Sequence, residues 1–202
     1  MAHGVLLVID GPDGAGKTTQ AARLAEHLRQ RGRTVIVLRE PGGTPVGEAI
    51  RDVLLDSETD LAPTTELLLY QAARAQLVEA RVRPALEAGH RVVCDRFTFS
   101  SVAYQGYGLG LDPGAVRRVG RLATGGLEPD RVFFLDLDPE VGLERIRGER
   151  DRIETRPLDF HRRVREGFLA EAKRLGDRAL ILDASRAAEE VTAEILQAVG
   201  DG

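Results

Sequence analysis

The chain has 202 residues, a formal net charge of −4 and one cysteine, a length that suits a single domain over residues 1–202 with a full core. The acidic balance argues against a DNA or RNA polymer as partner, because phosphate backbones select basic faces. The lone Cys94 makes no intramolecular disulfide and fits a reducing cytoplasm, and no apolar run reaches the length of a signal segment or a membrane span.

An apolar run at residues 5–9 predicts a buried strand, and Ala21, Leu24, Ala25 and Leu28 mark one face of the helix after it, at about 17–31. Between them stands Gly11-Pro12-Asp13-Gly14-Ala15-Gly16-Lys17-Thr18, followed by Thr19. The octet fits the phosphate-binding loop G-x-x-x-x-G-K-[ST], in the strand–loop–helix context that gives the pattern meaning. Its glycines let successive N–H groups converge on an anion, and the helix N-terminus adds partial positive charge. Lys17 is placed to reach the β- and γ-phosphates, and the Thr18 hydroxyl to coordinate Mg²⁺.

A second strand at 34–38 runs into Arg39-Glu40-Pro41-Gly42-Gly43-Thr44, a tight turn, and then a helix at 45–55 that carries Arg51. From spacing alone Arg51 is as easily an exposed helix charge as a ligand. A long helical pattern covers 64–88, and Pro84 predicts a kink or break near Arg83. Tyr70 and Arg74 share a face of it, an aromatic beside a guanidinium that suits a flat base.

The third strand, 91–94, holds Cys94 as a packing thiol and ends in Asp95-Arg96-Phe97. An acid at a strand end near a phosphate loop suits Mg²⁺ or a hydrogen bond from a reacting group, and Arg96 suits bidentate phosphate recognition. The same two residues also fit a structural ion pair. Ser100, Ser101, Tyr104 and Gln105 then gather hydroxyls, an amide and an aromatic that can read a sugar or base; a helix start capped by Ser100 is compatible with that role.

Further helices are predicted at 113–124, 139–147, 158–175 and 187–199, with strands at 132–137 and 179–182. Gly32, Gly89 and Gly176 sit where helix C-caps belong. Five arginines, including Arg150 and Arg152, fall within residues 145–156. Such a run is usually a solvated helix face. After a strand end and around a glycine it also suits a mobile basic lid, at about 145–157, that brings an arginine over bound phosphates.

Five near-continuous apolar runs alternating with helices read as a doubly wound α/β fold with a parallel sheet. Ligands in such sheets bind beyond the strands' carboxyl ends, which selects loops 10–18, 39–44, 95–105 and 138–156.

These motifs together resemble the thymidylate kinase family. The residues that carry the likeness are 13–20, Arg39-Glu40-Pro41-Gly42-Gly43-Thr44, Ala72-Ala73-Arg74, Asp95-Arg96-Phe97, Ser100-Ser101, Ala103-Tyr104-Gln105-Gly106 and Asp151-Arg152-Ile153-Glu154. Their order and spacing match from residue 5 to about residue 170. The resemblance implies a three-layer P-loop NTPase fold, a five-stranded parallel sheet with helices on both faces, and transfer of the γ-phosphoryl of ATP to dTMP with Mg²⁺. It implies Asp13 at the deoxyribose 3′-hydroxyl, Tyr70 stacked on thymine, and Arg74 and Ser101 at the thymine edge. It places Arg39, Arg51 and Arg96 around the acceptor phosphate, with Glu40, Pro41 and Ser100 in the same substrate site. Tyr104 would leave no room for a 2′-hydroxyl, with Gln105 beside it, and Asp95 would organise Mg²⁺ and the reacting phosphates. It also implies a homodimer.

Two positions depart from the family's habit. Phe often stands where this chain has Tyr70, and Tyr or His where it has Phe97. The phosphate loop holds no arginine between Gly11 and Gly16, so the lid, through Arg150 or Arg152, becomes the source of the catalytic one.

Overall fold

The computed structural model describes residues 4–56, 58–148 and 151–200. Five parallel strands form one sheet in the order β2-β3-β1-β4-β5: β1 (Val5–Asp10), β2 (Val35–Arg39), β3 (Arg91–Asp95), β4 (Arg131–Asp136) and β5 (Ala179–Asp183). Strand β1 lies at the centre, with Ile9 opposite Asp95 on one side and Phe133 on the other. The chain leaves it to either side, and the crevice at such a reversal is where ligands bind in open α/β sheets.

Side-chain alternation explains why the strands read as continuous apolar runs. Leu6, Val8, Val92, Cys94, Val132 and Phe134 face one layer, with Leu77, Val78, Phe160, Val164 and Phe168. Leu7, Ile9, Val93, Phe133 and Leu135 face the other, with Leu24, Leu28, Val191 and Ile195. Cys94 is fully buried in the first layer and burial holds its thiol well above the ordinary range, as suits a packing residue.

Helix α1 (Lys17–Gln30) follows the phosphate loop, and α2 (Pro45–Leu55) starts at Thr44, whose hydroxyl accepts from the Gly47 N–H at 3.0 Å. Pro84 does not break the long helix. Helix α3 (Pro63–Leu77) passes through a π-helical stretch, Val78–Val82, into α4 (Arg83–Glu87). The wider π turn falls where a proline withholds its N–H and its ring crowds the preceding turn, and the helical run continues through it.

The segment after β3 is more ordered than a loop. Helix α5 (Thr98–Ser101) runs into a second π-helical stretch, Val102–Gly108, packed on α8 (Leu158–Leu175). Its N-cap is Phe97 rather than Ser100. Ser100 instead gives its hydroxyl to Asp10 at 2.6 Å. Helices α6 (Pro113–Ala123), α7 (Pro139–Arg145) and α9 (Ala188–Val199) complete the layers. Of the described helices, none is long and apolar enough to cross a membrane.

Candidate active site

A cavity of about 420 Å³ opens at the carboxyl ends of the strands. Phosphate-loop residues Asp13, Gly14, Gly16, Lys17, Thr18 and Thr19 line one end. Arg39, Glu40, Pro41, Arg51 and Tyr70 line the other, with Asp95, Arg96, Ser100, Ser101, Tyr104 and Gln105 between them.

The phosphate loop curls tightly. Gly14 adopts φ 74°, and a Cβ there would lie 2.1 Å from the Gly142 carbonyl oxygen on α7. A Cβ on Gly142 would in turn meet the Asp13 carbonyl oxygen at 2.4 Å. Only glycine permits this approach, so the loop rests directly on α7. Lys17 folds back and donates to the Pro12 carbonyl at 2.6 Å. Burial, reinforced by nearby Arg96, lowers its pKa to about 8 against the pull of Asp13, Asp95 and Asp10.

Thr18 and Asp95, far apart in sequence, meet here: the Thr18 hydroxyl donates to Asp95 Oδ2 at 2.6 Å. Two hard oxygen donors beside a phosphate loop suit Mg²⁺, which binds through one or two protein oxygens and the substrate's phosphates. Among the described residues no cluster of three or more His, Cys, Asp or Glu forms a separate metal cage.

Arg96 sits in left-handed backbone, φ 71°, a conformation that costs a non-glycine residue about 1–3 kcal/mol. Asp10, fully buried at the end of β1, supplies the restraint. Its Oδ2 accepts from the N–H groups of Phe97 and Ser100 at 3.2 and 3.1 Å. Burial raises Asp10, opposed mainly by Arg96 and Ser100. Held this way, the Arg96 guanidinium pairs with Asp13 and lies 5.2 Å from the centre of the Tyr104 ring. The Tyr104 hydroxyl donates to the second Asp13 oxygen at 2.7 Å. Burial would raise Asp13, but Arg96 and Lys17 outweigh it and hold the carboxyl below its ordinary range. Tyr104 moves the other way, raised by burial, and stays a hydroxyl donor.

Arg74 lies beneath the cavity rather than on its lining. Nε donates to Glu40 at 2.6 Å, Nη1 to Gln71 and Ser101 at 2.8 and 3.0 Å, and Nη2 to the Phe97 carbonyl at 3.0 Å. Nη2 also lies 2.6 Å from the same Glu40 oxygen. All five guanidinium donors are thereby engaged. Arg74 so fixes Glu40 and Ser101, both on the lining, and leaves Glu40 Oε1 buried without a hydrogen-bond partner. Such an orphaned oxygen in a cavity wall is a ready acceptor for a ligand donor. Arg51 lines the cavity and donates to the Pro41 carbonyl at 3.0 Å. Arg39 lines it too, more exposed, with Glu48 at 3.5 Å. Tyr70 stands at the wall, its hydroxyl raised by burial and by Glu66.

Of the two arginines expected of a lid, Arg152 is described and does not line the cavity. Arg150 lies outside the described residues. Arg152 is buried, with Nε donating to the Leu54 carbonyl at 2.9 Å and Nη1 to Glu66 at 2.7 Å.

A family model described as thymidylate kinase matches residues 9–195. The chain belongs to the thymidylate kinase family. Thymidylate kinase of Deinococcus radiodurans is 51% identical over 203 residues, covering 100% of this chain and 98% of that protein. Thymidylate kinase of an Exiguobacterium species is 46% identical over 196 residues, covering 96% and 92%. The crystal structure of thymidylate kinase from Ehrlichia chaffeensis superposes with a TM-score of 0.83 at 30% identity, over 98% of this chain and 100% of that one. The fold is therefore that of thymidylate kinases, a P-loop NTPase α/β fold.

Within that family frame, three residues of the site were not singled out individually from the sequence. Asp10 reads as the last residue of an apolar strand, yet it ties down the Arg96 turn. Arg145, from the end of α7, lines the cavity and donates to the Ala184 carbonyl at 2.8 Å. Glu66 reads as a helix charge and is wholly buried. Arg145 falls within the arginine run over residues 145–156; nothing local distinguishes the two acids.

Proposed function

We propose that this protein transfers the γ-phosphoryl of ATP to dTMP, giving ADP and dTDP. The reading rests on one observation: a single cavity joins a phosphate loop to a second wall bearing Arg39, Arg51, Arg96 and Tyr70. One end suits a triphosphate. The other offers three cations for an acceptor phosphate and an aromatic face for a base.

Gly11 to Thr19 would hold the ATP phosphates, with Lys17 on the transferring group. Thr18 and Asp95 would hold Mg²⁺, which would neutralise charge developing on the phosphates when bound. Arg39, Arg51 and Arg96 would orient the acceptor phosphate for in-line attack, so catalysis consists of positioning and charge neutralisation. Asp13, ionised and aimed by Tyr104 and Arg96, suits a sugar hydroxyl. Tyr70 would stack on thymine, with Ser101 at its edge, and Glu40, Pro41, Ser100 and Gln105 would complete the wall. Arg74 would read the base edge only by exchanging one of its present partners; in the geometry above it orients Glu40 and Ser101. Arg150 and Arg152 remain the candidate lid arginines, and Arg152 would have to leave Glu66 to touch phosphate.

A cytoplasmic homodimer belongs to the same reading. Leu68 of α3 and Val46 and Val53 of α2 are exposed apolar side chains on two packed helices, a surface a second copy can cover. Light scattering on the purified protein tests it; a monomer at all concentrations removes it.

The deciding experiment follows ADP release from ATP and Mg²⁺ with dTMP, dUMP, ribose TMP, dCMP, AMP, GMP and thymidine. Turnover confined largely to dTMP is expected. Preference for another monophosphate would overturn the base-reading roles, and turnover of thymidine alone would overturn the acceptor phosphate's role.

A further inference from the structure

Glu66 is fully buried on α3, one turn before Tyr70. Both of its carboxylate oxygens are committed, and to different parts of the cavity. Oε1 accepts from Gln105 Nε2 at 2.8 Å. Oε2 accepts from Arg152 Nη1 at 2.7 Å and from Arg156 Nη2 at 3.0 Å. Gln105 lines the middle of the cavity, and Asp151, Ile153 and Glu154 line its lid side. Arg152 is further tied to α2, where the Leu54 and Leu55 carbonyls accept from its Nε and its backbone N–H. Arg156 lies 5.0 Å from the centre of the Phe160 ring, at the start of α8.

The charge count is as informative as the geometry. One buried carboxylate faces two guanidiniums. An ion pair kept only for stability is weakly justified in a buried place, since desolvation offsets most of its attraction. Here it joins the lid, the acceptor wall and α3 at one point.

We propose that Glu66 is a positioning residue that holds the base of the lid in register with the acceptor wall during phosphoryl transfer. The proposal rests on the kinase reading above. Glu66 touches no reacting atom. It acts through Arg152, which on this proposal stays on Glu66 as an anchor and leaves contact with phosphate to Arg150, through Arg156, and through Gln105.

The test is Glu66→Gln. Glutamine keeps an oxygen for Gln105 but removes the charge that both arginines need. The expected result is a kcat at least about tenfold lower, with dTMP affinity, measured by calorimetry without ATP, changed by less than about threefold. Tryptic cleavage mapped within residues 145–156 should be at least about fivefold faster at a temperature where the variant is folded. The double variant Glu66→Gln with Arg156→Gln relieves one of the two charges left unpaired. It should recover part of the lost Tm and leave kcat low. If kcat returns with Tm, or if Glu66→Gln has wild-type kcat and cleavage rate, Glu66 is a structural partner only and the proposal falls. Should Glu66→Gln not fold, Glu66→Asp serves, with the same direction and a smaller effect expected. Absence of dTMP turnover in the wild-type protein would instead sink the kinase reading, and the cleavage rates would still decide whether Glu66 holds the lid.

Discussion

The Tyr104 hydroxyl and Asp13 are joined across the cavity, at 2.7 Å, although 91 positions separate them in the chain. The contact aims a phosphate-loop carboxylate from a π-helical segment on the far side of β3. Tyr104→Phe removes this donor and leaves Arg96 as the remaining side-chain partner of Asp13. A hydrogen bond to a charged group is worth about 1.5–3 kcal/mol, so kcat/KM for dTMP should fall by at least about tenfold. Steady-state kinetics with dTMP and ribose TMP check it, and an unchanged value would detach the hydroxyl from Asp13's role.

Lys17 should give the free enzyme an alkaline limb. Its folded pKa, about 8, lies below its ordinary 10.5, so the ammonium is lost as pH rises through about 8. kcat/KM for ATP should decline above that pH, and the limb should vanish in Lys17→Arg, which stays charged. For stability the sign reverses. Between about pH 8 and 10.5 the unfolded chain binds the extra proton, so the Lys17 contribution to stability rises with pH there. Denaturant titrations at pH 7.5 and 9.5, wild type against Lys17→Met, measure that difference.

Asp10→Asn should be a stability variant with a binding phenotype. Asn cannot serve the Phe97 N–H, the Ser100 N–H and the Ser100 hydroxyl as the carboxylate does. A loss of about 1–3 kcal/mol is expected, together with weaker dTMP binding because Arg96 loses its strained placement. Thermal unfolding and calorimetry read the two effects. Loss of stability with unaltered dTMP affinity would show that Arg96 holds its own conformation.

Asp95→Asn should raise the Mg²⁺ concentration that gives half-maximal turnover by about tenfold, since one anionic oxygen is lost beside Thr18. Chelation with EDTA should abolish turnover of the wild-type protein and excess Mg²⁺ restore it. An unshifted Mg²⁺ titration in the variant would place the ion elsewhere.

Gly142→Ala tests the contact between α7 and the phosphate loop. The added methyl meets backbone, the Asp13 carbonyl oxygen at 2.4 Å, which cannot swing aside as a side chain would. Overpacking of this kind costs about 1–3 kcal/mol. ATP affinity should fall together with Tm, whereas an affinity unchanged at lower Tm would show that the loop keeps its shape while α7 moves.

Strands and loops were legible in the sequence because both faces of the sheet are buried and each carboxyl end carries its own polar motif. The helix over Pro45–Leu55 and the one over Leu158–Leu175 fall where periodicity and flanking proline put them. What stayed hidden was long-range pairing. Glu66 meets Arg152 and Arg156 across 86 and 90 positions, and a glutamate ahead of Leu67-Leu68-Leu69 looks like any helix acid. The bonding of Arg152 to Leu54 and Leu55 of α2 is unreadable for the same reason. The π-helical stretches are hidden differently: they arise from packing of Val102–Gly108 on α8 and from Pro84 in the other helix, and periodicity does not encode a register change.

The saturation of Arg74 has a consequence for how ligands would be made for this protein. With every donor of that side chain committed, Glu40 and Ser101 are held like fixtures in a machined wall, already shaped before anything binds. A compound matched to that end meets a finished surface and loses little entropy in ordering it. Residues 151–156 border the same cavity and are tied to Glu66 through Arg152 and Arg156, so a compound that displaces them has those ion pairs to break. Affinity is therefore cheapest to gain against Glu40 and Ser101.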